Sequence, residues 1–176
     1  MFTTRLRVTL RDVHPTVSRV LDVPTSTTLP ELHDLLQVAI GWTDSHLHQF
    51  VAGDERWGVP SDDSWDDEEL DESTAALKDL PKRFVYLYDF GDCWEHDVEV
   101  LGSGGVPGLV EGFGACPPED CGGVPGYEEL LKVLADPSHP EHEGMRGWAA
   151  HHSFTFDEAA TNRLVQRVLR DCSGKR

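Results

Sequence analysis

The chain has 176 residues, 39% of them hydrophobic and five of them tryptophan, which suits one globular domain with a single core and excludes a disordered chain. Fifteen Lys and Arg stand against 32 Asp and Glu, a net charge of −17, and so few clustered cations argue against broad, sequence-independent DNA binding. No apolar run approaches the roughly 20 residues that span a bilayer, and "MFTTRLRVTL" has no apolar signal core, so a cytoplasmic location is expected.

"TRLRVTLR" alternates strictly, with Leu6, Val8 and Leu10 on one face and Arg5, Arg7 and Arg11 on the other, the pattern of a half-buried strand. A second strand is expected over residues 17–23. Arg19 would join the first three arginines in the sole candidate basic stripe, read as solvated side chains. "TLPELHDLLQVAIG", residues 28–41, predicts a helix. Thr28 and Glu31 form a capping box, Leu29, Leu32, Leu36, Ala39 and Ile40 recur at helical spacing, and Gly41 suits the C-cap.

"SHLHQFVAG" returns to strand character with His46, His48 and Phe50 on one face, and a short strand around residues 56–59 follows. Residues 62–72 hold eight acidic side chains and read as a solvated, mobile loop; an EF-hand would need a central Gly and a Glu at its twelfth position. "KRFVYLYDFGDCWEHDVEVLG" is a hairpin signal. With Gly91-Asp92 as a tight turn and Gly91 at positive φ, Asp89 faces Trp94. That register puts Val85, Leu87, Asp89, Trp94, His96, Val98 and Val100 in the core. It leaves Phe84, Tyr86, Tyr88 and Phe90 with Cys93, Glu95, Asp97 and Glu99 as an aromatic, acidic surface.

Beyond a Gly/Pro-rich loop, helices are expected over 127–135, 141–150 and from 156 or 157 to 170, with 172–176 as a polar tail. Strands precede helices. This predicts one α+β domain over 1–176: a mixed or antiparallel sheet with the first helix packed on it and a C-terminal cluster of short helices.

Candidate chemistry gathers in two places. Cys116 and Cys121 frame "CPPEDC" and can supply half of a tetrahedral zinc site, with His96, His139 and His142 as the remaining candidate ligands. Structural thiols or a redox-labile pair are the alternatives. Asp89, Asp92, Glu95 and His96 suit metal-assisted or general acid–base catalysis, but the same residues also describe a core histidine satisfied by Asp89, a turn aspartate and solvated strand acids. No G-x-S-x-G, H-E-x-x-H or phosphate-cradling glycine loop accompanies them.

The blocks "GWTDSHLHQF", "YLYDFGDCWEHDVEV", "ACPPEDCGGVPGYEELL" and "DPSHPEHEGMRGW", with "HPTVSRVLDVP" and "FTFDEAATN", cover nearly the whole chain. They resemble the plasmid pRiA4b ORF-3-like family. The resemblance implies an α+β fold without an established reaction, and some members are labelled resolvase-like passengers of transposable elements. Where that family has a tryptophan and two arginines, Ser18, Arg19 and Val20 stand here, and Cys93 replaces a usual serine. The arginine-ringed nucleophile and basic DNA-binding element of a serine recombinase are not evident. Two functions are therefore expected. One is a non-enzymatic cytosolic binding or adaptor domain, associated with mobile elements, that meets a protein or small-molecule partner through the tyrosine/acid face of the hairpin and the adjacent loops. The other is a zinc-dependent hydrolase centred on His96 and the loop of Cys116 and Cys121.

Overall fold

The opening alternation becomes strand β1 (Thr3–Leu10), with Leu6, Val8 and Leu10 buried. The structure, a computed structural model, describes residues 2–60 and 69–174. β2 (Ser18–Pro24) returns antiparallel to β1, α1 (Leu29–Ile40) follows, and β3 (His48–Ala52) and β4 (Glu55–Gly58) form a hairpin. β5 (Leu70–Asp71) leads into single 3-10 turns at Glu72–Thr74 and Leu77–Asp79. A second hairpin, β6 (Arg83–Tyr88) and β7 (Trp94–Ser103), precedes β8 (Gly108–Phe113). α2 (Gly123–Ala135), α3 (His142–Trp148) and α4 (Glu158–Gly174) complete the chain. The strands form one sheet in the order β5-β4-β3-β6-β7-β1-β2-β8, antiparallel except for the β4–β5 pair. This is the expected α+β architecture with a mixed sheet.

The capping box at Thr28 and Glu31 is present, and Gly41 ends α1 at φ 119°. The expected apolar positions of α1 are buried, and so are Leu35, His33 and Gln37. His33 and Gln37 are covered by Tyr86 and His48 of the sheet, and α4 packs on α1 and β8, bringing Val165 and Leu169 into the same core. The outer face of the sheet stays solvated and carries cross-strand ion pairs, Arg83 with Glu99 at 2.9 Å and Arg11 with Glu95 and Asp97.

Several expectations are corrected. Tyr88, not Asp89, faces Trp94, so the register differs by one residue from the expected one. Phe84, Tyr86 and Tyr88 therefore turn into the core beside Trp94, His96 and Val98, and Val85 and Leu87 take the outer face. The tyrosines tolerate burial because each hydroxyl has partners: Tyr86 meets His33 and Gln37, and Tyr88 meets Ser45 and Glu119. The connection spans 89–93. Its left-handed residues are Asp89 (φ 61°) and Cys93 (φ 54°), not Gly91. Asp89 Oδ1 accepts from the N–H groups of Gly91 and Asp92, an Asx-type turn that replaces the glycine turn.

Arg19 is buried rather than solvated, because pairing with Val8 aims it at the core. Its guanidinium donates to the carbonyls of Ala39, Ile40, Phe113 and Gly114 and lies 3.8 Å over the Phe156 ring. The expected basic stripe thus loses Arg19, and Arg5 is bound to Asp22 at 2.8 Å. Of the acidic run, residues 62–68 lie outside the described residues, while Glu72 is 5% exposed and bonded to His48 at 2.8 Å, not solvated. The expected tail at 172–176 is helical through Gly174, with Cys172 buried, and α2 begins earlier than expected, at Gly123.

Candidate metal centre

Loops 42–47, 89–93 and 115–122 meet at one end of the sheet. β3 and β6 are neighbours with His48 opposite Tyr88, so the loops before β3 and after β6 emerge together, joined by Asp89 N–H to Leu47 O at 2.9 Å. The third loop docks through Gly122 N–H to Asp92 Oδ2 at 3.1 Å. Next to it, Gly123 adopts φ 67°, and a Cβ there would stand 2.4 Å from the Asp92 carbonyl oxygen. Only glycine permits this approach.

Two carboxylates in these loops divide their oxygens in the same way. Glu119 Oε1 accepts from Thr43 N–H (2.9 Å), Thr43 Oγ1 (3.0 Å) and Tyr88 Oη (3.1 Å), locking two loops together. Glu119 Oε2 is buried without a hydrogen-bond partner and lies 3.8 Å from His46 Nε2. Asp89 Oδ1 holds its own turn, while Oδ2 points at His46 Nε2 from 3.6 Å, on a side chain only 9% exposed. Asp120 Oδ1 approaches the same nitrogen at 3.1 Å, yet Nε2 is itself buried and makes no hydrogen bond. Ligand atoms of His46, Asp89 and Asp120 lie within 4.8 Å of one another, the one such group of three among the described residues. One imidazole and carboxylates converging on a point without bonding each other have the donor set and spacing of a divalent cation site.

A buried polar network supports the His46 loop from below. His33 Nε2 donates to Asp44 Oδ1 (2.9 Å), which leaves Nδ1 to accept from Tyr86 Oη (2.7 Å); Tyr86 in turn accepts from Gln37 Nε2 (2.8 Å). Gln37 Oε1 closes the ring by accepting from Asp44 N–H at 2.8 Å. His48 stacks on His33 with centroids 3.5 Å apart. Burial, then the neighbouring His48, hold the His33 pKa below its ordinary value.

The sequence candidates separate. Asp89 joins the cluster. Asp92 braces the neighbouring loop, and Glu95 faces the opposite side of the sheet, paired with Arg11. His96 is 0% exposed, accepts from Trp42 Nε1 at 3.0 Å and donates Nδ1–H to Tyr86 O at 2.9 Å. Its burial pushes its pKa down to about 4. His142 Nδ1 bonds Val133 O at 2.9 Å, and His139 Nδ1 accepts from Glu141 N–H. The structure does not gather three of Cys116, Cys121, His96, His139 and His142 at one point. Burial pushes both thiols up, Cys121 to about 12, with Asp92 next in effect for Cys121 and Glu119 for Cys116. His46, Glu119 and Asp120 are the site residues the sequence reading missed. The acids stood inside "CPPEDC", between the cysteines that drew attention, and His46 was assigned only a strand face.

The chain matches the family model described as plasmid pRiA4b ORF-3-like protein over residues 3–164. It is 43% identical over 169 residues to the uncharacterized protein y4hQ of Sinorhizobium fredii (strain NBRC 101917 / NGR234), covering 90% of this chain and 85% of the relative. It is also similar to the crystal structure of the protein of unknown function MM3350 from Methanosarcina mazei Go1. The TM-score is 0.80 at 30% identity, over 90% of this chain and 96% of that one. The matched segment holds every strand, the first three helices and all the residues of the cluster, and on it the chain belongs to the plasmid pRiA4b ORF-3-like family.

Proposed function

We propose that the protein is a metal-dependent domain that holds a first-row divalent cation between His46 Nε2, Asp89 Oδ2 and Asp120 Oδ1, with Glu119 Oε2 as a further donor. The observation that carries this reading is the pair of carboxylates, each with one oxygen held by hydrogen bonds, within the 89–93 turn for Asp89 and between loops for Glu119, and the other oxygen directed at His46 Nε2; Glu119 Oε2 and His46 Nε2 are buried without a hydrogen-bond partner. Uncompensated buried polar atoms are destabilising, and a cation would answer both His46 Nε2 and Glu119 Oε2. The mixed nitrogen and oxygen donors favour manganese, iron or zinc over calcium or magnesium, which prefer all-oxygen sites.

Asp120 is 72% exposed at its side chain, so a cation held there would lie near the surface. A cation reachable from solvent there would supply Lewis acidity, the chemistry of a hydrolytic rather than a purely structural role. The adaptor alternative keeps the acidic residues and the adjacent loops as its surface but not Tyr86 and Tyr88, which are in the core.

Calorimetric titration of metal-stripped protein with manganese and with zinc tests the proposal. One cation per chain is expected, with at least tenfold weaker binding in Asp89→Asn and His46→Ala and unchanged binding in Cys116→Ser. Absence of uptake, or uptake lost only in the cysteine variants, refutes it.

A further inference from the structure

Beside the cluster, α2 and α3 enclose a groove of about 610 Å³, a volume typical of ligand sites. Leu130, Val133, Pro140, Met145 and Trp148 supply its apolar wall, and Asp120 stands in its lining as well as in the His46 cluster. α3 has no fully buried residue, and Trp148 is 50% exposed. Met145 packs against the core with part of its side chain and also lines the groove, while Trp148 lines the groove and stays half exposed.

We propose that this groove seats the ligand of the metal centre and that the ligand is a basic, apolar peptide segment; the assignment of the seat to that centre rests on the metal reading above. Charge decides the class. The carboxylates in the lining are Asp120, Glu129 and Glu141, and among the described residues no Lys, Arg or His lines it. Cys121 also lines it. Lys132 reaches Glu129 from the helix surface at 3.6 Å and Asp120 belongs to the cluster, which leaves Glu141 in excess.

The metal does not reverse this field. Asp89, Glu119 and Asp120 carry three negative charges when ionised, and one dication leaves the cluster net negative. A phosphorylated or carboxylate-headed ligand would meet repulsion and none of the arginine or lysine contacts that such groups use. A chain bearing Arg or Lys beside leucine-like side chains meets carboxylates at the rim, an aliphatic wall, the pliable thioether of Met145 and the Trp148 ring, which takes cations on its face.

The test is fluorescence anisotropy on the full chain, loaded with manganese, using a labelled, end-capped leucine/arginine pentapeptide and its leucine/glutamate counterpart. Calorimetric manganese titration is run on the same samples. The arginine peptide is expected to bind at least tenfold more tightly than the glutamate peptide. Trp148→Ala and the double variant Glu129→Gln, Glu141→Gln should weaken it at least fivefold while manganese uptake is unchanged. Equal affinity for the two peptides, or indifference to the groove variants, overturns the proposal and leaves the metal reading standing. Peptide binding without manganese uptake overturns the metal reading and, with it, the assignment of the groove to that centre.

Discussion

An indole nitrogen can only donate, so the Trp42 bond to His96 Nε2 fixes the histidine as the neutral tautomer with its proton on Nδ1. Protonation would break that bond in a site closed to solvent, His96 being 0% exposed. The folded pKa of about 4 lies below the ordinary 6.5, so the unfolded chain takes up the proton first. The stability contributed by neutral His96 is therefore complete above pH 6.5 and is lost as pH falls from 6.5 towards 4, about 3 kcal/mol in all. His33 and His152, also shifted down by burial, act in the same direction. His96→Gln should be about 1–3 kcal/mol less stable at pH 7 but lose less between pH 6.5 and 4. Urea unfolding of both proteins across that window checks this, and parallel pH profiles would contradict it. Arg19 poses the complementary case, a buried cation answered entirely by carbonyls, two of them at the C-terminal end of α1. Its charge persists because burial lowers its pKa only to about 10. Lysine keeps a charge but not the planar fork that spans carbonyls from α1 and the end of β8. Arg19→Lys should cost about 2–4 kcal/mol by calorimetry.

Elements whose cause is local were legible in the sequence. The α1 cap depends on Thr28 and Glu31 three residues apart, and β1 on alternation alone; both appear as read. Thr28→Ala should cost about 1 kcal/mol in chemical unfolding. The β6–β7 hairpin was legible as a hairpin but not in register. A glycine turn was the simplest local solution, whereas Asp89 builds its own turn, and the burial of Tyr86 and Tyr88 depends on hydroxyl partners elsewhere in the chain. Arg19 was illegible for the same reason. Nothing local announces that its partners are carbonyls of α1 and residues 113–114. Gly123 shows how one position couples elements: its left-handed φ and its closeness to Asp92 O are both forbidden to alanine. Gly123→Ala is expected to cost about 1–3 kcal/mol. It should also separate loop 89–93 from α2, seen as faster amide exchange at Gly122.

At the scale of the whole molecule, the cluster was unreadable because its members come from the connections α1–β3, β6–β7 and β8–α2, which the sheet order alone brings to one end. No spacing motif marks such a site. The same arrangement gives it a global consequence, because a cation bound there staples connections that otherwise hold together through a few hydrogen bonds between loops. A ligand that binds only the folded state, present at a hundred times its dissociation constant, adds about 2.7 kcal/mol. For a domain of this length each kcal/mol moves Tm by about 2–4 °C. Saturating manganese or zinc should therefore raise Tm by about 5–10 °C, and a chelator should restore the starting value. Asp89→Asn can still offer a carbonyl oxygen to Gly91 and Asp92 but loses the charge aimed at His46, so its unfolding should be nearly indifferent to the metal. Cys116→Ser should respond like the parent chain. Thermal scans of these proteins, with and without cation, place the stabilising ion at the carboxylates or at the thiols, and a shift that survives Asp89→Asn but vanishes in Cys116→Ser would move the centre to the cysteine loop.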